Sequence, residues 1–238
     1  MKKDNSNGFT AAGLFIMIGL VALGWFIYTS ARYVKSRDRV VNVKGLSERE
    51  VKANIAIWPI TFKQASNDLG TLYNDMEDKQ KMLIDFLKRS GFSKDEITAG
   101  QFVTTDRVAD AYSSQNIKFR YVSKNTVTVY SEKVELLREV MNGIGELGKK
   151  GIAIEPPNYE NRTEFLFTKL NEIKPKMVEE ATAKAREVAD KFARDSKSEL
   201  GKLKSARQGQ FSIFNRDSNT PHIKKVRVVT TLEYYLVD

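Results

Sequence analysis

The sequence predicts an α+β domain carried behind one transmembrane helix, and three observations predict it. An uncharged run extends from Asn5 to Ala31. Behind it, stretches with two-residue apolar alternation take turns with stretches whose apolar residues recur at steps near 3.6. This order is traversed twice, so the second half of the chain echoes the first. The 238 residues hold 39 Lys+Arg against 30 Asp+Glu, a net charge of +9, and no cysteine.

The centre of the apolar run, Phe9 to Tyr28, has Thr10 and Tyr28 as its only conventionally polar side chains. At ~1.5 Å of rise per residue, a run of this length crosses the ~30 Å hydrocarbon core as one helix. Residues 1–7 then form a short tail, 8–31 a signal anchor in contact with the lipid bilayer, 32–38 a basic juxtamembrane linker and 39–238 the folded domain. A cleavable signal peptide shares the basic start Met1-Lys2-Lys3, but its apolar core spans only ~7–15 residues. Its small-residue site would be Thr29-Ser30-Ala31, followed directly by Arg32. A buried helix of a soluble core is the other alternative, and such helices rarely lack charge for so long. Trp25, Tyr28 and Tyr33 suit the membrane interface. Gly8, Gly13, Gly19 and Gly24 recur at spacings of five, six and five, which hold no single face for GxxxG pairing.

Orientation is contested by two rules. Lys2 and Lys3 flank one end of the run and Arg32, Lys35, Arg37, Arg39 and Lys44 the other. The positive-inside rule alone places the domain in the cytoplasm, yet long domains translocate largely regardless of charge. The lack of cysteine is compatible with either side.

A charged fraction of 29% and a hydrophobic fraction of 41% exclude a polytopic membrane protein and a disordered chain. The positive charge is interleaved with acids. It suits an anionic envelope component, lipid headgroup or polymer, and such a module requires a basic patch on one face. No nucleic-acid partner is expected, because no recognition motif, arginine-rich arm or aromatic-basic signature accompanies the charge.

Element by element, Arg39–Leu46 and Val51–Gln64 read as strands of a hairpin around Ser47-Glu48-Arg49-Glu50. Leu69, Leu72, Tyr73, Met76, Leu83, Phe86 and Leu87 recur at helical steps, with Ser66, Asn67 or Asp68 as start and Gly91 as stop. Ile97–Val108 and Lys118–Ser131 read as strands around a polar turn, Asp110–Asn116. A second helix fits Glu132–Leu147. Ile152–Ile154 and Tyr159–Thr168 are extended around Pro156-Pro157. The third helix runs from about Lys174 to Ser196, with Met177, Ala181, Ala185, Val188, Ala189 and Phe192 facing inward and Gly201 as terminator. Leu203–Phe214 and Lys224–Val237 close the chain as extended segments, the last rich in β-branched and aromatic residues on both faces.

Several of these residues carry a resemblance. Val41-Asn42-Val43-Lys44-Gly45, the long helix ending at Gly91 before Asp95-Glu96-Ile97, and the Tyr121–Val129 strand resemble the SIMPL domain family. So do Phe167 and Lys169 before the helix with Ala181, Ala185 and Ala189, then Leu200-Gly201 and the final strand. The resemblance covers Arg39 to Asp238. It implies two helix-on-antiparallel-sheet lobes, a periplasmic or envelope setting and ring-like homo-oligomers in some members. It also implies a poorly defined role, linked in some members to stress defence. Many relatives have a cleaved signal, so the anchor is a departure. The family offers no catalytic residues to carry over.

Chemical motifs are sparse. Gly143-Ile144-Gly145-Glu146-Leu147-Gly148 matches GxGxxG, but it closes a helix where a nucleotide loop must follow a strand. His222 is the only histidine and reads as a surface residue in a loop before the last strand; alone and without cysteine it builds no zinc site. Glu179-Glu180 and Asp75, Glu77 and Asp78 fall among lysines as solvated helix faces. No Gly-x-Ser-x-Gly elbow exists. Asn161-Arg162-Thr163 matches the glycosylation sequon. Trp58, Phe62, Phe165, Phe167, Phe211, Phe214, Tyr234 and Tyr235 read first as sheet-to-helix packing.

No catalytic, cofactor-binding or metal residue is therefore expected, and no cofactor. The expectation is a non-enzymatic, self-associating binding or structural module, anchored in the bacterial inner membrane with its domain in the periplasm. A membrane-tethered enzyme with an unrecognised site is the alternative, and it requires a deep pocket with convergent polar groups.

Overall fold

The computed structural model describes residues 6–36, 39–109, 117–159 and 161–237, and within the first helix the side chains of 13–31. Helix α1 spans Ser6–Ser36. Its window Gly13–Ala31 has a mean hydropathy of 2.0 and no buried residue, long and apolar enough to cross a membrane. Thr29 turns its hydroxyl back onto the carbonyls of Trp25 and Phe26, at 2.9 and 3.0 Å. That contact satisfies a polar group within the apolar helix, as a membrane interior requires.

The chain then forms an α+β domain with two sheets. Strand β1 (Val40–Lys52) passes straight through Ser47–Glu50, and β2 begins at Ile55 and ends at Ser66. The expected hairpin is absent, because β1 and β2 belong to different sheets. The redirection occurs at Ala53-Asn54, held by Ala53 N–H on the His222 carbonyl (2.8 Å) and Asn54 N–H on that of Leu166 (2.9 Å). Two compact units result: residues 1–48, 174–211 and 227–238 form the first, and 49–173 with 212–226 the second.

The first unit contains helix α5 (Leu170–Asp195, from residue 174), β7 (Glu199–Gln208) and most of β9 (Ile223–Val237); the strands of this sheet are ordered β1-β9-β7, and the short β8 (Ser212–Asn215) also pairs with β9. α5 begins four residues before the expected start. Pro175 lies near the helix N-terminus, where its missing N–H forfeits a single hydrogen bond. The buried stripe is Met177, Ala181, Ala185, Ala189 and Ala193, whereas Val188 and Phe192, expected inward, are exposed. Alanine at every fourth position makes one narrow row, and β1 needs that narrowness at Gly45. α5 ends with Lys197 at φ 54°, Lys197 N–H on Arg194 O (3.0 Å) and Ser198 N–H on Ala193 O (2.9 Å). This 6→1 and 5→2 pair ends the helix before Gly201, which lies inside β7 and is no terminator.

β9 alternates cleanly. Val226, Val228, Thr230, Leu232 and Tyr234 are buried, while Arg227, Val229, Thr231, Glu233 and Tyr235 on the other face are half-buried or exposed. That second face is thus only partly covered within the chain. Thr230 Oγ1 is buried without a hydrogen-bond partner among the described residues. An unsatisfied buried hydroxyl costs about 1 kcal/mol or more, and valine keeps the shape without it. Thr230→Val is therefore expected to raise the urea midpoint by an amount equivalent to ~1 kcal/mol. A variant less stable than the parent would show that the hydroxyl is satisfied.

The second unit is built on a sheet ordered β3-β5-β2-β6, with β4 also on β5. β3 (Ile97–Ala99) and β4 (Val103–Asp106) replace the single strand expected over Ile97–Val108. The ladder breaks where Asn125 Nδ2 takes the Gly100 carbonyl at 2.8 Å. β5 spans Tyr121–Ser131, and the Asp110–Asn116 turn lies outside the described residues. Helix α2 (Leu69–Arg89) covers one face, burying Leu72, Met76, Leu83 and Leu87, while Leu69 and Tyr73 remain largely exposed. Asp68 caps it by accepting Thr71 N–H at 2.7 Å, and Gly91 at φ 103° ends it where L side chains are strained. The expected second helix is two, α3 (Val134–Gly143) and α4 (Gly145–Lys149), broken at Ile144. Of the extended segments after it, Ile154 makes one bridge to Phe62, and β6 (Glu164–Leu166) pairs with Ile55–Ile57.

Glu96 ties the α2–β3 connection to the end of β5. It accepts from Ser131 Oγ (2.5 Å), Ser93 N–H (2.8 Å) and Lys133 Nζ (2.9 Å). Partial burial pushes its pKa up, but these hydrogen bonds outweigh that and hold it down at about 2. A depressed folded-state pKa gives stability that is complete above the unfolded value near 4.5 and lost as pH falls toward 2. Glu96→Gln is expected to lose about 2 kcal/mol at pH 7 and almost nothing at pH 2. Equal losses at both pH values in urea titrations would remove the linkage.

Candidate functional site

The second unit has one sheet face under α2 and a second face that is buried at Thr61 and open around Lys63 and Lys124. The β2–β5 register places Ile57↔Tyr130, Pro59↔Thr128, Thr61↔Thr126, Lys63↔Lys124 and Ala65↔Val122 on that second face. β4 extends it with Val103↔Lys124 and Thr105↔Val122. Here Lys63, Val103, Thr105, Arg107, Val122 and Lys124 line an open groove of about 390 Å³.

Two like charges directly opposite on neighbouring strands repel, and the penalty must be offset. Lys63 is offset by an ion pair with Glu155, placed by Glu155 N–H on the Thr61 carbonyl at 2.8 Å. Lys124 and Arg107 have no carboxylate partner among the described residues. The next arginine, Arg120, is spent on Asp106, to which its guanidinium donates at 2.8–3.2 Å. The hydrogen bond to Arg120 holds the Asp106 pKa below its usual value. The groove thus presents a surplus of cations over a floor of two valines and a threonine. It suits an anionic group on a small apolar body, and its lining contains neither carboxylate nor histidine for proton transfer.

The groove was not legible in the sequence, because Lys63 and Lys124 are brought together only by strand register. Of the residues the sequence did single out, His222 is buried, not on the surface. Its carbonyl receives Ala53, and its ring meets Phe165 edge-on at a centroid distance of 6.1 Å. Burial, with help from Arg138, lowers its pKa against the opposing pull of Glu135. Burial likewise lowers that of Lys224, which donates to Asn215. No group of three metal-ligating residues occurs among the described residues. Gly143 is the last residue of α3 and Gly145 and Gly148 lie in α4, so the GxGxxG string forms no strand-to-helix phosphate loop. Asn161 of the sequon is buried and exchanges backbone-to-side-chain hydrogen bonds with Asn158, at 2.5 and 3.1 Å.

Comparison with curated proteins returns no match. Comparison with protein families does: the SIMPL family, described as "Protein of unknown function (DUF541)", matches residues 41–229. That span holds the second sheet, α2, α5, the groove and all of the first sheet except Val40 and the C-terminal half of β9, and it begins just past the apolar helix. The chain belongs to the SIMPL family.

Proposed function

We propose that this chain is a membrane-tethered, non-enzymatic binding module of the bacterial envelope, anchored in the inner membrane with its domain in the periplasm. It takes an anionic envelope component into the basic groove. The observation that carries this reading is the groove in which Lys124 and Arg107, without a carboxylate partner among the described residues, stand beside the Glu155-paired Lys63. Support for the tether is α1, and support for a role other than catalysis is a groove open to solvent whose lining residues include neither carboxylate nor histidine. The stress-defence link of some relatives belongs to the same proposal.

The test uses full-length protein in detergent with short polyphosphate and poly-glutamate as probes of phosphate and carboxylate recognition. Lys124→Glu with Arg107→Glu is expected to weaken binding by about tenfold or more, and parent affinity is expected to fall as salt rises. Unchanged affinity in the double variant would overturn the groove assignment. A C-terminal reporter that distinguishes periplasm from cytoplasm tests the orientation separately.

Self-association is a second reading, favoured by β1 and β7 standing at the two ends of their sheet. Lys44 on β1 and Lys202 on β7 are exposed, and charge on an end strand opposes direct pairing, so assembly through these strands needs an intervening partner or counter-charge. Size measurement in detergent across micromolar concentrations tests it, and a clean monomer throughout removes it.

A further inference from the structure

The tether is short. α1 runs five residues past Ala31 to Ser36, which adds about 8 Å of helix. Two residues, 37 and 38, then precede Arg39, so three Cα steps add at most about 11 Å. With Ala31 at the hydrocarbon boundary and a headgroup layer of roughly 5–8 Å, Arg39 stands within about 19 Å of that boundary.

Arg39 also fixes which end of the first unit is near. Its guanidinium donates to Ser198 Oγ at 3.1 Å, its carbonyl accepts Leu236 N–H at 2.9 Å, and Glu199 pairs with Val237. The C-terminal end of α5 therefore lies where the chain arrives from the membrane. That end exposes apolar side chains: Phe192 is 57% exposed, Val188 one turn earlier 39%, and Val237 49%. The cations there, Arg39, Lys191, Arg194 and Lys197, are matched in number by Glu187, Asp190, Asp195 and Glu199. Net attraction to anionic lipid is accordingly small, and the apolar groups decide the contact.

We propose that this end of the first unit rests on the headgroup region of the bilayer that α1 spans, with Phe192 as its interfacial contact. The inference rests on α1 acting as an anchor and is independent of the groove. Bilayer contact at α5 would hold the domain at the surface and limit how it turns about its tether.

The cysteine-free chain allows single-site labelling. Full-length Phe192→Cys and Lys176→Cys proteins would be labelled with an environment-sensitive fluorophore, placed in nanodiscs and challenged with spin-labelled lipid. The two sites lie about 24 Å apart along α5. Quenching at 192 is expected to exceed that at 176 by about threefold or more, in neutral and anionic lipid alike and at high salt. Equal quenching at the two sites, high or low, overturns the proposal. A disulfide between the 192 sites of two copies, without quenching, assigns the patch to a second copy and also overturns it. Failure to enter nanodiscs at all removes the anchor itself, a distinct outcome.

Discussion

Gly45→Ala is expected to destabilise the first unit by about 3 kcal/mol or more, an unusual loss for the addition of one methyl group. A Cβ at Gly45 would stand 1.8 Å from Ala181 O, 2.5 Å from Ala185 N and 2.9 Å from Ala185 Cβ. The first two are backbone atoms of α5, so no side-chain rotation relieves the clash and the helix itself must retreat. Retreat would open the cluster of Val43, Ala185, Ala189, Leu232 and Tyr234 and stretch the 2.9 Å bond from Ser47 Oγ to Glu180. Lys44→Ala, on the opposite face of β1, is expected to stay within about 0.5 kcal/mol of the parent. Urea unfolding of the full-length proteins in detergent compares them, and a Gly45→Ala protein as stable as the parent would show that α5 does not ride on β1.

Phe62→Ala is expected to cost about 3–5 kcal/mol in the second unit. Phe62 is fully buried on the α2-facing side of β2, within the core that holds Trp58, Ile60, Leu72, Met76, Leu83 and Leu87. Removing the ring subtracts its burial energy and leaves a cavity that strands pinned on both sides by β5 and the Ile154 bridge close poorly. Such a loss approaches the whole stability of a domain with a typical ~5–15 kcal/mol. Phe62→Leu, which keeps most of the volume, should lose under about 1.5 kcal/mol. The reporter is the emission of Trp58, buried in the same core. An alanine variant whose Trp58 emission and urea midpoint match the parent would sink the prediction.

Sequence reasoning reached far where the governing interactions are local. The 3.6-residue period of Leu72, Met76, Leu83 and Leu87 and the signals at Asp68 and Gly91 are contained in the helix they define, and α2 formed as expected. The apolar run of α1 and the β-branched final strand were legible for the same reason. Reasoning failed where partners are distant. Ser47–Glu50 read as a turn because it is polar, yet β1 continues through it, with Ser47 buried against Glu180. Val188 and Phe192 read as core because they are apolar, yet the tight approach at Gly45 admits only the alanine row. His222 read as surface because it is a lone polar residue in a loop, yet the redirection of the chain at Ala53 encloses it.

By itself the sequence determined the membrane-spanning capacity of α1, the α+β class and its helices, since each follows from composition or period within a single segment. It also carried the family resemblance, through the order of those segments. Only the tertiary structure decided that β1 and β2 part into two sheets, and that Lys63 and Lys124 meet across a groove. It alone placed the exposed end of α5 beside the residue where the tether enters. These arrangements depend on strand register and hydrogen bonds between residues as far apart in the chain as Arg39 and Leu236, and no local pattern in the chain encodes them.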